Sequence, residues 1–148
     1  MKLVIGNDHA AVELKNEIKA YLEEKGHEVI NIGTDTHDSC NYPEYGEKAG
    51  RMVAAGEADG GVLICGTGVG ISIAANKVKG AYAALVSDVY SATRARLSND
   101  ANIVCMGAFT TGAKVREMLV DAFFTNEFVP GCSSQPKVDA FREYDQNR

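Results

Sequence analysis

The chain has 148 residues, of which 45% are apolar and 24% charged; that suits one domain with a sizeable core and is too short for two ordinary ones. Fifteen Lys and Arg against twenty Asp and Glu leave a net charge of −5, which argues against a general nucleic-acid binder while leaving room for a local pocket for a small anion. No stretch approaches the roughly 18 apolar residues that span a bilayer, and the apolar run in MKLVIGNDHAA is too short for a secretory signal.

In chain order, KLVIGN at 2–7 predicts a short strand. Residues 10–25 follow as a helix, with Val12, Leu14, Ile18, Tyr21 and Leu22 at helical spacing and Gly26 as the stop. HEVINI at 27–32 predicts a second strand ended by Gly33, and 34–41 is a polar loop. Pro43 opens a helix to about residue 55, with Gly56 after it. GVLI at 61–64 predicts a third strand, closed by the run 65–70, and ISIAANK at 71–77 a short, mostly buried helix. A fourth strand over 81–86, a charged helix over 88–97 and a fifth strand over 103–106 come next. Residues 111–126 predict a long amphipathic helix with Val115, Met118, Leu119, Ala122 and Phe123 on one face. The stretch 128–136 is irregular, and 137–145 predicts a last helix carrying Val138, Phe141 and Tyr144.

Strands alternating with helices predict βαβ units, whose right-handed crossovers build a parallel sheet covered on both faces. Ligands of such sheets bind beyond the carboxyl ends of the strands, near a topological switch point. The strand exits are Asn7-Asp8-His9, the run 65–70, Ser87-Asp88 and residues 107–110.

The run Cys65-Gly66-Thr67-Gly68-Val69-Gly70 is the most informative exit. Its glycines let the backbone approach an anion, and successive N–H groups at a helix N-terminus attract negative charge. The same field favours a thiolate at Cys65. A tight turn around an inert buried cysteine is the plainer alternative. The dinucleotide fingerprint and a Cys-x5-Arg phosphatase loop both fail at Ile71, and no P-loop is present. A phosphoacceptor aspartate at this exit is excluded by Cys65 itself. At the first exit, Asp8 and His9 suit hydroxyl binding or ring orientation, or a helix cap with a solvated imidazole. Tyr42 before Pro43 is either a site group or a packed aromatic, and Ser98-Asn99-Asp100 either a site segment or ordinary helix-end chemistry. The four cysteines, Cys40, Cys65, Cys105 and Cys132, include no CxxC pair; a zinc site or redox dithiol is not expected, and a reducing cytoplasm is.

Asp8-His9, Tyr42-Pro43, CGTGVGISIAANK at 65–77 and Asn99-Asp100 follow one family's order and spacing. The sequence resembles the ribose-5-phosphate isomerase B and galactose-6-phosphate isomerase family over nearly its whole length. The resemblance implies a Rossmann-like three-layer α/β/α sandwich with a five-stranded parallel sheet, in a single domain over 1–148. It implies a homodimer or tetramer with the site shared between subunits, and residues 127–148 reaching the partner. It implies aldose–ketose isomerisation of a small sugar phosphate through a cis-enediolate, with no metal or cofactor. By motif match, Cys65 is the proton-transfer base and Thr67 its hydroxyl partner. The amides of Gly66, Thr67, Gly68, Val69 and Gly70 form the anion hole. Asp8 and Tyr42 bind hydroxyls or position the ring, and His9 and Asn99 contact substrate.

Three departures stand out. Ser98 takes the place of the family's ring-opening histidine, and serine does not titrate near neutral pH. Phe109 takes the place of an arginine after the fifth strand. The segment Gly131-Cys132-Ser133-Ser134-Gln135-Pro136-Lys137 lacks one expected arginine, with Lys137 as the remaining anion contact. The losses touch ring opening and phosphate clamping, so the expected reaction is kept with a changed sugar phosphate. One candidate is a four-carbon sugar 4-phosphate, whose esterified O4 cannot close a furanose. An unphosphorylated or differently held sugar, ribose 5-phosphate itself, and a non-catalytic subunit needing a paralogous partner are the alternatives.

Overall fold

The computed structural model describes all 148 residues. Five strands, β1 (Lys2–Asn7), β2 (Glu28–Asn31), β3 (Gly60–Cys65), β4 (Ala83–Leu85) and β5 (Ile103–Gly107), form one parallel sheet in the order β2-β1-β3-β5-β4. The helices are α1 (Val12–Glu24), α2 (Pro43–Ala54), α3 (Val69–Asn76), α4 (Val89–Asn99), α5 (Ala113–Phe124) and α6 (Gln135–Gln146). A 3-10 turn at His9–Ala11 precedes α1. The α/β sandwich predicted from the sequence is therefore present.

β3 is the central strand, and all six of its residues are buried. A strand covered on both faces reads as a continuous apolar run, as GGVLIC does. The two faces carry separate cores. One gathers Leu3, Ile5, Ile18, Leu22, Ile64, Leu119 and Phe123 under α1, α4 and α5. The other gathers Val4, Ala49, Leu63, Ile71, Ala75 and Ile103 under α2 and α3. Gly46 and Gly50 let α2 lie close on α3: a Cβ at residue 46 would stand 2.7 Å from the Ile71 carbonyl oxygen.

Several boundaries differ from the sequence reading. β4 is cut to three residues, because it is an edge strand and Tyr82 before it spends its N–H on the Asn102 side chain at 2.8 Å. α4 runs two residues further than expected, to Asn99, and ends where Asp100 adopts φ 50°, a left-handed cap. α5 buries Arg116, Leu119, Val120 and Phe123, so Val115 and Met118 lie outside. The buried stripe is shifted by one residue because Arg116 turns inward to donate to the Thr111 carbonyl. α6 starts at Gln135 and buries Val138 but leaves Phe141 and Tyr144 exposed.

A buried aspartate fastens α6. The Asp145 carboxylate accepts the Gly80 N–H at 2.7 Å and the Tyr82 hydroxyl at 3.0 Å, and pairs with Arg148 at 2.6 Å. Burial alone would raise its carboxyl, but those bonds hold it below the usual 3.8. A carboxyl depressed in the folded state stabilises above its ordinary value and stops doing so as pH falls through the lowered one. Asp145→Ala should therefore cost about 1–3 kcal/mol in urea unfolding at neutral pH, by orphaning the Gly80 and Tyr82 donors. The deficit relative to wild type should persist through pH 4 and shrink only below the ordinary aspartate range.

Candidate active site

β1 leads outward to β2 on one side and β3 leads towards β4 on the other, so the crevice between β1 and β3 is the switch point. β1 delivers Asp8 and His9 there, β3 delivers Cys65 and the glycine loop, and the start of α2 delivers Tyr42.

The loop's shape follows from two backbone approaches. Gly68 has φ 79°, and a Cβ there would lie 2.8 Å from the Met106 carbonyl carbon and oxygen. A Cβ on Gly107 would lie 2.8 Å from the Thr67 carbonyl. The exits of β3 and β5 are thus in backbone contact. Two further bonds tie them: Ala108 N–H donates to the Cys65 carbonyl at 2.8 Å and Phe109 N–H to the Gly66 carbonyl at 3.0 Å. The carbonyls of Cys65 and Gly66 are consumed in this way, whereas most of the loop's amides are not. Gly68 N–H donates to Cys65 Sγ at 3.1 Å, and Val69 N–H to Thr67 Oγ1 at 3.2 Å. The N–H groups of Gly66, Thr67, Gly70 and Ile71 meet no acceptor within the chain. Of the amides over residues 66–70 expected to bind an anion, those of Gly68 and Val69 already have acceptors within the chain.

Other groups line this loop. Tyr42 lies on Gly70, so closely that a Cβ at residue 70 would overlap its hydroxyl and ring. Asp8 is buried and caps the 3-10 turn, accepting the Ala10 N–H at 3.0 Å through Oδ1. Its other carboxylate oxygen makes no bond within the chain, so the cap leaves it a free acceptor. His9 is half-buried, with its Nδ1 3.8 Å from Cys40 Sγ. Phe109 is 80% exposed, and its ring covers Gly66. Behind the site, Cys105 is fully enclosed; burial, and then the neighbouring Cys65, push its thiol up, so it stays protonated and inert.

Ser98, Asn99 and Lys137 do not join this cluster. α4 carries Ser98 and Asn99 back to the amino edge of the sheet, where Asn99 lines a cavity with Tyr82, Ala83 and Ala101 at the start of β4. Lys137 is exposed on α6, donating to the Ser133 carbonyl at 3.4 Å. Arg142 stands beside Asn99, paired with Asp100 at 2.6 Å. Arg96 is held by the Ala101 carbonyl at 2.5 Å and lies over Phe123. No group of three or more His, Cys, Asp or Glu side chains is gathered where a metal could be held. The sequence reading missed Lys15, Asn7 and Cys40. A lysine at a core-facing helix position, three residues from both Val12 and Ile18, was the signal for the first.

A family model described as Ribose/Galactose Isomerase matches residues 3–141. The chain is 44% identical over 147 residues to ribose-5-phosphate isomerase B of Escherichia coli, covering 99% of this chain and 98% of that protein. It is 40% identical to D-erythrulose-4-phosphate isomerase 2 of Mycolicibacterium smegmatis, covering 98% of this chain and 97% of that protein. The solved ribose-5-phosphate isomerase B of Clostridium thermocellum superposes with a TM-score of 0.95 at 41% identity, covering 99% of each chain.

The loop geometry makes one substitution diagnostic. Gly68→Ala places a methyl against the Met106 carbonyl in a left-handed backbone. It should destabilise by at least about 2 kcal/mol in chemical denaturation, from conformational strain plus overpacking. Gly112→Ala, with open space and ordinary φ, should stay within about 0.5 kcal/mol of wild type.

Proposed function

The chain belongs to the ribose/galactose isomerase family, enzymes that interconvert aldose and ketose sugar phosphates, and we propose that its own substrate is a four-carbon sugar 4-phosphate. One observation carries this reading. The three histidines are His9, His27 and His37. Of these, His27 binds the Met1 ammonium and His37 binds Glu13, leaving only His9 beside the glycine loop. The Asn99 end, where Ser98 stands, has no imidazole. A furanose needs an acid and base to open its ring. Erythrose 4-phosphate, with O4 esterified, is open-chain already. The M. smegmatis relative bearing the name D-erythrulose-4-phosphate isomerase supports the same choice.

In this reading Cys65 takes the proton from C2 of the aldose. Electrons of the C–H bond become the C1–C2 double bond of a cis-enediolate, and the carbonyl oxygen takes the negative charge. The open amides of Gly66, Thr67, Gly70 and Ile71 are the donors available to hold that oxygen. The Gly68 N–H aimed at Sγ stabilises negative charge on the sulfur. Thr67 Oγ1 accepts from Val69, which leaves its own proton free for the substrate oxygens. Return of the proton to C1 and transfer of the O2 proton to O1 give the ketose. Asp8, His9 and Tyr42 orient the hydroxyls.

The complete site needs a second copy of the chain. No cavity of the single chain is lined by Cys65 or Thr67, yet enediolate chemistry requires water to be excluded. Val69, Ile73, Leu85, Tyr90 and Phe109 present exposed apolar side chains on the segments around the loop. A partner placed there would supply Ser98, Asn99 and Lys137 from its opposite edge. The four cysteines are all free, which suits a cytoplasmic home.

Proton NMR in heavy water, with tetrose, pentose and hexose phosphates, tests the reaction and the substrate together. Erythrose 4-phosphate should acquire deuterium and turn over, and Cys65→Ala should lose at least about 1000-fold in kcat. Faster turnover of ribose 5-phosphate would overturn the four-carbon reading and give ring opening to His9. Cys65→Ala and Asn99→Ala, each inactive alone, should regain up to about a quarter of wild-type activity when refolded together, as a shared site requires. Absence of any recovery would place the whole site in one chain.

A further inference from the structure

α1 turns Val12, Lys15, Ile18 and Leu22 inward, and the Lys15 side chain is fully buried. An ammonium buried among apolar groups costs several kcal/mol unless it is hydrogen-bonded and paired. Here Nζ donates to the Thr34 carbonyl at 2.9 Å and to Asn31 Oδ1 at 3.4 Å, and pairs with Asp35. Thr34 is itself buried at the exit of β2. The same Thr34 carbonyl accepts the Asn7 side-chain N–H at 3.1 Å, and that amide also donates to the Asp8 carbonyl at 2.8 Å. Two buried donors, one on α1 and one at the β1 exit, thus converge on one backbone oxygen.

That oxygen is the root of the loop over 34–41. Beyond it, residues 35–39 are exposed and belong to no helix or strand. The loop then delivers Cys40 against His9 and Tyr42 onto Gly70. The loop's other anchors, His37 to Glu13 and Asn31 to Asp35, are exposed side-chain bonds, so its course is set chiefly at its buried root. We propose that Lys15 is a positioning residue: through the Thr34 carbonyl it sets the loop that places Tyr42 and Cys40 on the wall of the site. The proposal rests on the isomerase reading only for its effect on turnover. Its structural half stands without it.

Lys15→Met keeps the aliphatic stem and removes the buried charge, so the variant folds with a melting temperature equal to or above wild type. Hydrogen exchange of the bonded amides at the two ends of the loop, Gly33 and Thr36 at its root and Glu44 and Tyr45 where it lands, should accelerate about tenfold or more, as in local opening of a released loop. With the sugar phosphate that wild type turns over, KM should rise and kcat/KM fall about tenfold, the size expected of a displaced substrate-positioning wall. Asp38→Asn, on the same exposed loop but outside the Lys15 network, should stay within about twofold. A Lys15→Met protein with wild-type exchange at Gly33, Thr36, Glu44 and Tyr45 overturns the proposal, as does one that loses activity only in step with a falling melting temperature. If wild type turns over no sugar phosphate, the isomerase reading fails, and the exchange comparison alone decides for or against the tether.

Discussion

The carboxyl edge of the sheet is organised by one close approach, the Thr67 carbonyl against Gly107 and the Met106 carbonyl against Gly68. Backbones this near leave no room for a Cβ on either side, so both positions are glycine. The contact turns the carbonyls of Cys65 and Gly66 towards the β5 exit, where Ala108 and Phe109 bind them. A loop whose carbonyls are satisfied from one side presents its amides on another. The open N–H groups at Gly66, Thr67, Gly70 and Ile71, and the N–H aimed at Cys65 Sγ, are consequences of that single packing constraint. Tyr42 adds a second constraint of the same kind, since its ring fits only over a residue without a side chain.

Much of this was legible in the residues. A continuous apolar run bounded by glycines identified β3, and three glycines in five residues exceeded what a turn requires. The alternation of strands and helices gave the parallel sheet and so the edge at which to look. Asp8 was read as either a cap or a site group, and it caps while keeping one oxygen free, because a carboxylate has two. Less legible was anything dependent on which of two neighbouring stripes a helix buries. α5 offers an apolar set at Val115 and Met118, yet the inward-turned Arg116 shifts the buried face by one residue. Lys15 was passed over for a related reason: a charged residue inside a helical apolar pattern is read as solvated unless its acceptors are known. Those acceptors, Thr34 and Asn31, come from a strand exit that is distant in the pattern but adjacent in space.

The position of Ser98, Asn99 and Lys137 was beyond sequence reasoning applied to one chain. The family resemblance implied one site for them and Cys65, but α4 runs back across the sheet and leaves Asn99 at its amino edge. The separation is imposed by helix length. Eleven residues at about 1.5 Å each span roughly 16 Å, about the length of a five-residue strand. A βαβ unit must return its chain to the starting edge before the next parallel strand begins. Residues at the end of α4 and at the exit of β3 therefore lie at opposite edges of one chain.

That division has an evolutionary consequence. In the proposed assembly, proton transfer belongs to the glycine-loop edge and sugar recognition draws on the α4–α6 edge. Substitutions at the two edges are far apart within a protomer, so their effects on stability should be close to additive. Selection can then revise Ser98 or Lys137 without disturbing the geometry around Cys65. A lineage of such proteins can exchange one sugar for another through a handful of changes on a surface that never touches its own chain's thiol.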